Sequence, residues 1–99
     1  MSVHARFAPS YTKAITVAPG AASAQSTIGS GSKTICFTNL SAVLTYVRVS
    51  KGGSTASVAD HAILPSVQVW ISKDQDADVV SYIAPAGSGS LHIMPGEGF

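Results

Sequence analysis

Cysteine is nearly absent from this sequence. Cys36 stands alone among 99 residues, so no disulfide within the chain can staple the fold. It lies between Ile35 and Phe37 in an apolar run and reads as a buried structural thiol; nothing beside it marks an activated nucleophile. Charge is scarce too. Asp, Glu, Lys and Arg make up 11% of the chain, against about 25% in an ordinary soluble domain. Mixed surface charge keeps diffusing proteins apart. Here Ser, Thr, Gly and Gln must supply the polar surface, which suits a molecule covered by partners better than a neutral secreted domain.

Basic runs and long apolar runs are also missing. The net charge is +1, and Arg6, Lys13, Lys33, Arg48, Lys51 and Lys73 are scattered, so no nucleic-acid partner is expected. No stretch approaches the roughly 18 apolar residues of a membrane span, and no membrane partner is expected. Residues Met1 to Lys13 contain no signal-peptide core. The expectation is a protein used inside a cell, or in a particle assembled there.

Helical periodicity is absent. Gly, Pro and Ser recur too often, and apolar residues repeat at spacing two. Lys33 to Asn39 and Val43 to Val49 read as strong strands, joined by the turn Asn39-Leu40-Ser41. Val67 to Ser72 alternates cleanly. Lys13 to Ala18, Val58 to Leu64, Asp78 to Ala84 and Leu91 to Met94 complete the set. Gly20 to Ser32 is low in complexity and reads as a long loop or flexible edge segment. Ser50 to Ser57 reads as a loop around Gly52-Gly53. Short strands spaced by turn signals predict one all-β domain over residues 1–99, a two-sheet sandwich or barrel. Its expected core is Ile15, Val17, Ile35, Phe37, Val47, Val49, Val67, Val69, Ile71, Ile83, Leu91 and Ile93. Residues 1–12 read as an extended N-terminal arm, with Phe7 and Tyr11 flanking Pro9. The tail 95–99, with its proline and two glycines, is expected to leave the sheet as a second arm.

Apolar side chains are left over once that core is filled. If Val69 and Ile71 point inward, Trp70 points out. An outward Trp suits an interface, where its large area and polar handle are useful. The same reasoning places Tyr82 outward with Asp78 and Val80, and Met94 outward beside His92. Tyr46 shares a face with Leu44 and Arg48, as in a strand covered on both sides. Phe99 reads as a terminal anchor. The expected interface residues are therefore Phe7, Tyr11, Tyr46, Arg48, Trp70, Tyr82, His92, Met94 and Phe99.

Catalytic and ligand motifs fail on inspection. Asp74, Asp76 and Asp78 open like a calcium loop, but Val79 and Pro85 occupy the positions of the required Gly and Glu. Gly29 to Thr34 lacks the Gly-Lys pair of a phosphate loop, and no helix follows it. His4, His61 and His92 lie in unrelated segments without metal-ligand spacing, and no G-x-S-x-G elbow exists. Neither an enzyme nor a cofactor is expected.

One resemblance runs from Ser32 to Phe99. It comprises T-N-L-S-A (Thr38 to Ala42), Y-V-R-V (Tyr46 to Val49), I-L-P (Ile63 to Pro65), V-W-I (Val69 to Ile71), S-Y-I-A (Ser81 to Ala84) and the closing G-S-G-S-L-H-I-M-P-G-E-G (Gly87 to Gly98). In this order the chain resembles small proteins from tailed-bacteriophage structural gene clusters, most of all the capsid cementing or decoration proteins. His92 and Met94 depart from that family's usual Tyr and Val or Thr. The resemblance implies a jelly-roll-like sandwich acting as a homodimer or homotrimer. It implies a major capsid protein as partner, and a place on the outer surface of a virion assembled in host cytoplasm. The alternatives are a head–tail or tail-fibre connector, or a small carbohydrate-binding module using Trp70, Tyr82 and the Asp74–Asp78 turn.

Overall fold

The computed structural model describes residues 8–9, 14–28 and 31–97. Among them there is no helix, and nine strands are present: β1 (Ala8–Pro9), β2 (Ile15–Val17), β3 (Ala24–Thr27), β4 (Thr34–Asn39), β5 (Thr45–Ser50), β6 (His61–Ile63), β7 (Gln68–Ser72), β8 (Val79–Ile83) and β9 (Leu91–Glu97). They form two antiparallel sheets. One runs β2-β9-β4-β7, with β1 also on β9; the other runs β3-β8-β5-β6. After β2 the chain goes to the other sheet for β3, returns for β4, crosses for β5 and β6, then visits β7, β8 and β9 in alternate sheets. That order is the jelly roll, two Greek keys wrapped into a sandwich. The sandwich expected from the strand pattern is present.

The interior follows the alternation. Ile35, Phe37, Leu91 and Ile93 come from one sheet and Val47, Ile63, Val80 and Tyr82 from the other, with Ile28 between strands; all are buried together. Ile15, Val17, Val49, Val69 and Ile71 pack around them. Each such side chain removes apolar area from water, about 1.5–3 kcal/mol when a large aliphatic or Phe is fully buried.

Three expectations fail for physical reasons. The segment read as loop or edge contains β3, an edge strand in full register with β8 from Ala24↔Tyr82 to Thr27↔Val79. Its small polar side chains hide a strand that is defined by its partner. Second, the faces of β8 are exchanged. Tyr82 is 6% exposed and belongs to the core, whereas Ile83 is half-buried on the outward face opposite Tyr46. Both parities of Val79 to Ala84 are apolar enough to be interior, so alternation alone could not choose. Tyr82 is accepted inside because its hydroxyl shares a 2.7 Å hydrogen bond with Ser26. Third, residues 95–97 do not leave the sheet. Pro95 pairs with Ile35 and Gly96 with Thr34, and β1 lines the other side at Pro9↔Gly96 and Ala8↔Glu97.

The phase of the ladder explains why Pro95 is tolerated. Asn39 N–H donates to Val67 O (3.0 Å) and Lys73 N–H to Lys33 O (2.9 Å), while Leu40 N–H donates to Ser90 O (2.8 Å). Odd-numbered residues of β4 therefore bond to β7, and even-numbered ones bond to β9. On β9 the odd positions, Pro95 among them, turn their nitrogen away from β4. A proline at 95 therefore removes no bond to β4.

Candidate functional site

The two outward faces differ in what covers them. On the β3-β8-β5-β6 face the residues 51–60 fold back across the sheet. Ser81 Oγ donates to Ser54 O, and Ala56 N–H donates to Ser23 Oγ at 2.9 Å. Gly53 lies against Gln25, so closely that a Cβ there would sit 2.6 Å from Gln25 Oε1. Its φ of 102° is also one that L side chains rarely adopt. Ser81, Val79 and Ala56 are buried as a result. Gly52 N–H donates to Asp78 Oδ1 at 2.9 Å, tying the loop to the β7–β8 turn.

The loop's return is pinned by Asp60. Its carboxylate meets the Arg48 guanidinium at 2.7 Å and accepts the Ser57 N–H at 2.7 Å. Burial pushes that carboxyl up, but the Ser57 N–H, the Arg48 guanidinium and the Ser57 hydroxyl outweigh it and hold the pKa below the ordinary range. Arg48, expected at an interface, is thus engaged within the chain. Tyr46 is half-buried on the same face, level with Ala62 and Ile83.

No such loop lies across the other face among the described residues. Even positions of β4, β9 and β7 point outward there. Met94, Cys36 and Trp70 form one row, and His92, Thr38 and Gln68 the next. Gln68 Nε2 donates to Thr38 Oγ1 at 2.9 Å. Cys36 is buried; its thiol pKa is pushed up by that burial and partly drawn back by Thr38, so it is a poor nucleophile. Trp70 remains 45% exposed. His92 and Met94, across β4 on the same face, are half-buried. The expectation of an outward Trp70, with His92 and Met94 on one face, matches this geometry.

Further apolar exposure lies in two turns at one end of the sandwich, at Leu40 and Leu64, a signal the sequence reading passed over. Asn39 builds that end. It is fully buried, and its Nδ2 donates to Val43 O (2.8 Å) and Ile63 O (3.0 Å), while its Oδ1 accepts from Ser41 N–H (3.0 Å) and Oγ (2.7 Å). The N-L-S triplet is turn chemistry, with Leu40 carried to the surface by its tip.

The remaining expected site residues do not gather. Phe7, Tyr11 and Phe99 lie outside the described residues, as does His4. Tyr82 is in the core, so it forms no aromatic cluster with Trp70 of the kind a sugar-binding face would use. A cleft of about 510 Å³ opens between β5 and β7, with Val47, Val49 and Ile71 as its apolar wall and His61, Lys51 and Asp76 at its mouth. Among the described residues no three His, Cys, Asp or Glu side chains come together to hold a metal ion. Asp78 is turned to the Gly52 amide instead of toward Asp74 and Asp76.

Comparison with known proteins gives a fold and no family. No family model matches the chain, and no curated protein matches it. Among solved structures it is similar to a chain of the Bacillus endospore appendages, described as a novel family of disulfide-linked pili. The TM-score is 0.52 at 12% identity, covering 98% of this chain and 96% of that one. A weaker likeness is to the Drosophila NLP core, whose structure addresses pentamer formation and histone binding, with a TM-score of 0.32 at 13% identity over 84% of this chain and 95% of that one. The first likeness supports the sandwich architecture. The second is too distant to carry anything.

Proposed function

We propose that the protein is a structural subunit of a large protein assembly, and specifically a virion component that binds across joints between major capsid subunits and stabilises the shell. The observation that carries this reading is the outward Met94–Cys36–Trp70 row. In that row Trp70 is 45% exposed, Met94 is half-buried and Cys36 is buried between them, on the sheet face that residues 51–60 leave uncovered, in a chain with 11% charged residues. Such a surface loses free energy in water and gains it when a partner covers it. A protein that binds the assembled lattice and not its loose subunits stabilises the assembly by linkage, and many copies sum that effect.

The fold neighbour's disulfide-linked pili suggest a filament as another kind of assembly. The linkage is not carried over. A covalent thread needs two linkable thiols per copy, and Cys36 is one buried thiol.

The test is the copy number per purified virion, with binding of added protein to shells that lack it. The reading predicts many copies per particle and shells that resist heating better when the protein is present. Trp70→Ala should fold normally and bind at least tenfold more weakly, a loss of about 1.4 kcal/mol or more. A few copies at one vertex would indicate a connector instead, and absence from particles would end the reading.

A further inference from the structure

We infer that the subunit is a two-fold dimer in which β7 pairs antiparallel with β7 of a second copy, joining two five-stranded sheets into one of ten. This rests on the assembly reading above and gives the form in which the subunit is delivered.

Edge strands are protected in most proteins by shortness, proline, charge or a covering segment. The described edges differ in that protection. On the opposite edge β1 carries Pro9 and β2 has three residues. The edge strand β6 has three residues. The edge strand β3 is entered beside the 51–60 loop, which bonds Ser23 and packs on Gln25. The remaining edge, β7, has five residues, Gln-Val-Trp-Ile-Ser, with no proline and no charge, in unbroken register with β4. The ladder phase derived above sends the backbone N–H and C=O of Val69 and Ile71 toward β4. Those of Gln68, Trp70 and Ser72 therefore face the open side. No described residue pairs with β7 there.

The sequence of β7 complements itself. A two-fold axis at Trp70 puts Gln68 opposite Ser72, Val69 opposite Ile71 and Trp70 opposite its own copy. Apolar inner positions meet apolar ones and neutral polar ones meet neutral polar ones. Continued by two residues each way, the register sets Lys73 against Val67 and Asp74 against Ser66, so no like charges oppose each other. The β3 edge fits less well, because its inward positions are Ala24 and Ser26. The two tryptophans would stand side by side on the outward face, doubling the apolar stripe offered to a partner. The second copy would also close the open side beside the Val47, Val49 and Ile71 wall.

The ladder phase supplies a clean test. Ser72→Pro and Gln68→Pro each delete an N–H that faces the open edge and no bond to β4. Thr16→Pro is the matched control on the opposite edge, where Ile15 and Val17 carry the ladder bonds to β9. Sedimentation equilibrium should give a two-chain mass for the wild type and for Thr16→Pro. It should give a one-chain mass, or at least a tenfold weaker dimer, for whichever β7 variant keeps its near-ultraviolet circular dichroism. The wild type should also show an exciton-coupled tryptophan band that the monomeric variant lacks. A monomeric wild type, open-ended growth beyond two chains, or a folded β7 proline variant that stays dimeric overturns the proposal. Binding to shells is read separately by co-sedimentation, so failure of the capsid role is distinguishable from failure of the dimer.

Discussion

The outward face of the β3-β8-β5-β6 sheet is closed by the chain's own residues 51–60, whereas that of the β2-β9-β4-β7 sheet keeps Trp70 in solvent. Both sheets are antiparallel and give their inward side chains to one core. The difference lies in the connections. The β5–β6 connection carries two adjacent glycines of positive φ, Gly52 and Gly53. They let it reverse and press on Gln25. The β4–β5 and β6–β7 connections are short turns at the end of the sandwich and cover neither face. A face closed from within contributes to stability; a face left open is available for recognition. The same apolar side chain therefore has a different worth on each side.

Reversing the chemistry on each face should separate the two roles most sharply. Ala56, in the loop itself, is 3% exposed where it meets the sheet, and Ala56→Asp would force a charge into that contact or lift the loop. The expected loss is about 3 kcal/mol in urea unfolding. Trp70→Asp, measured in solution dilute enough to hold monomers, should cost about 1 kcal/mol or less while abolishing assembly. Equal costs would mean that the faces do not differ as described.

Gly53→Ala is a subtler break. The positive φ and the close approach to Gln25 both penalise a side chain, at about 1–2 kcal/mol together. Because the strain is confined to the closed face, the Trp70 emission maximum should not move. A shift would show that the two faces are coupled through the core.

Acid gives the smallest effect. The folded pKa of Asp60 lies below its ordinary value of 3.8. Its contribution is therefore complete above that value and is lost as pH falls through the folded pKa. Arg48 is 44% exposed, so solvent screens the pair and the contribution is minor. Asp60→Asn should flatten part of the decline in Tm between about pH 5 and about pH 2, without changing Trp70 accessibility.

Legibility in the sequence followed how decisively one parity was apolar. Val67 to Ser72 alternates without ambiguity, and both its inward residues and the outward Trp70 were readable. Val79 to Ala84 is apolar on both parities, because its outward side lies under a loop. Tyr82 was misplaced for that reason, since its interior position depends on Ser26, 56 residues away. The β3 strand was hidden by small polar side chains, as its pairing is fixed by β8 and not by its own pattern. Proline at 95 argued for a departing tail, and only the ladder phase shows which way its missing N–H faces. The resemblance to phage structural proteins suggested the jelly-roll connection, which the strand order bears out. The capsid role it suggested is proposed here on the open face.

The most direct test of that face is hydroxyl-radical labelling of Trp70 and Tyr46, compared between free protein and protein bound to shells. Trp70 lies on the open face and Tyr46 on the one partly closed from within. The account predicts that binding lowers Trp70 labelling several-fold and leaves Tyr46 labelling unchanged. Protection of Tyr46 with Trp70 still labelled as in free protein would contradict it, because the partner would then sit on the wrong sheet.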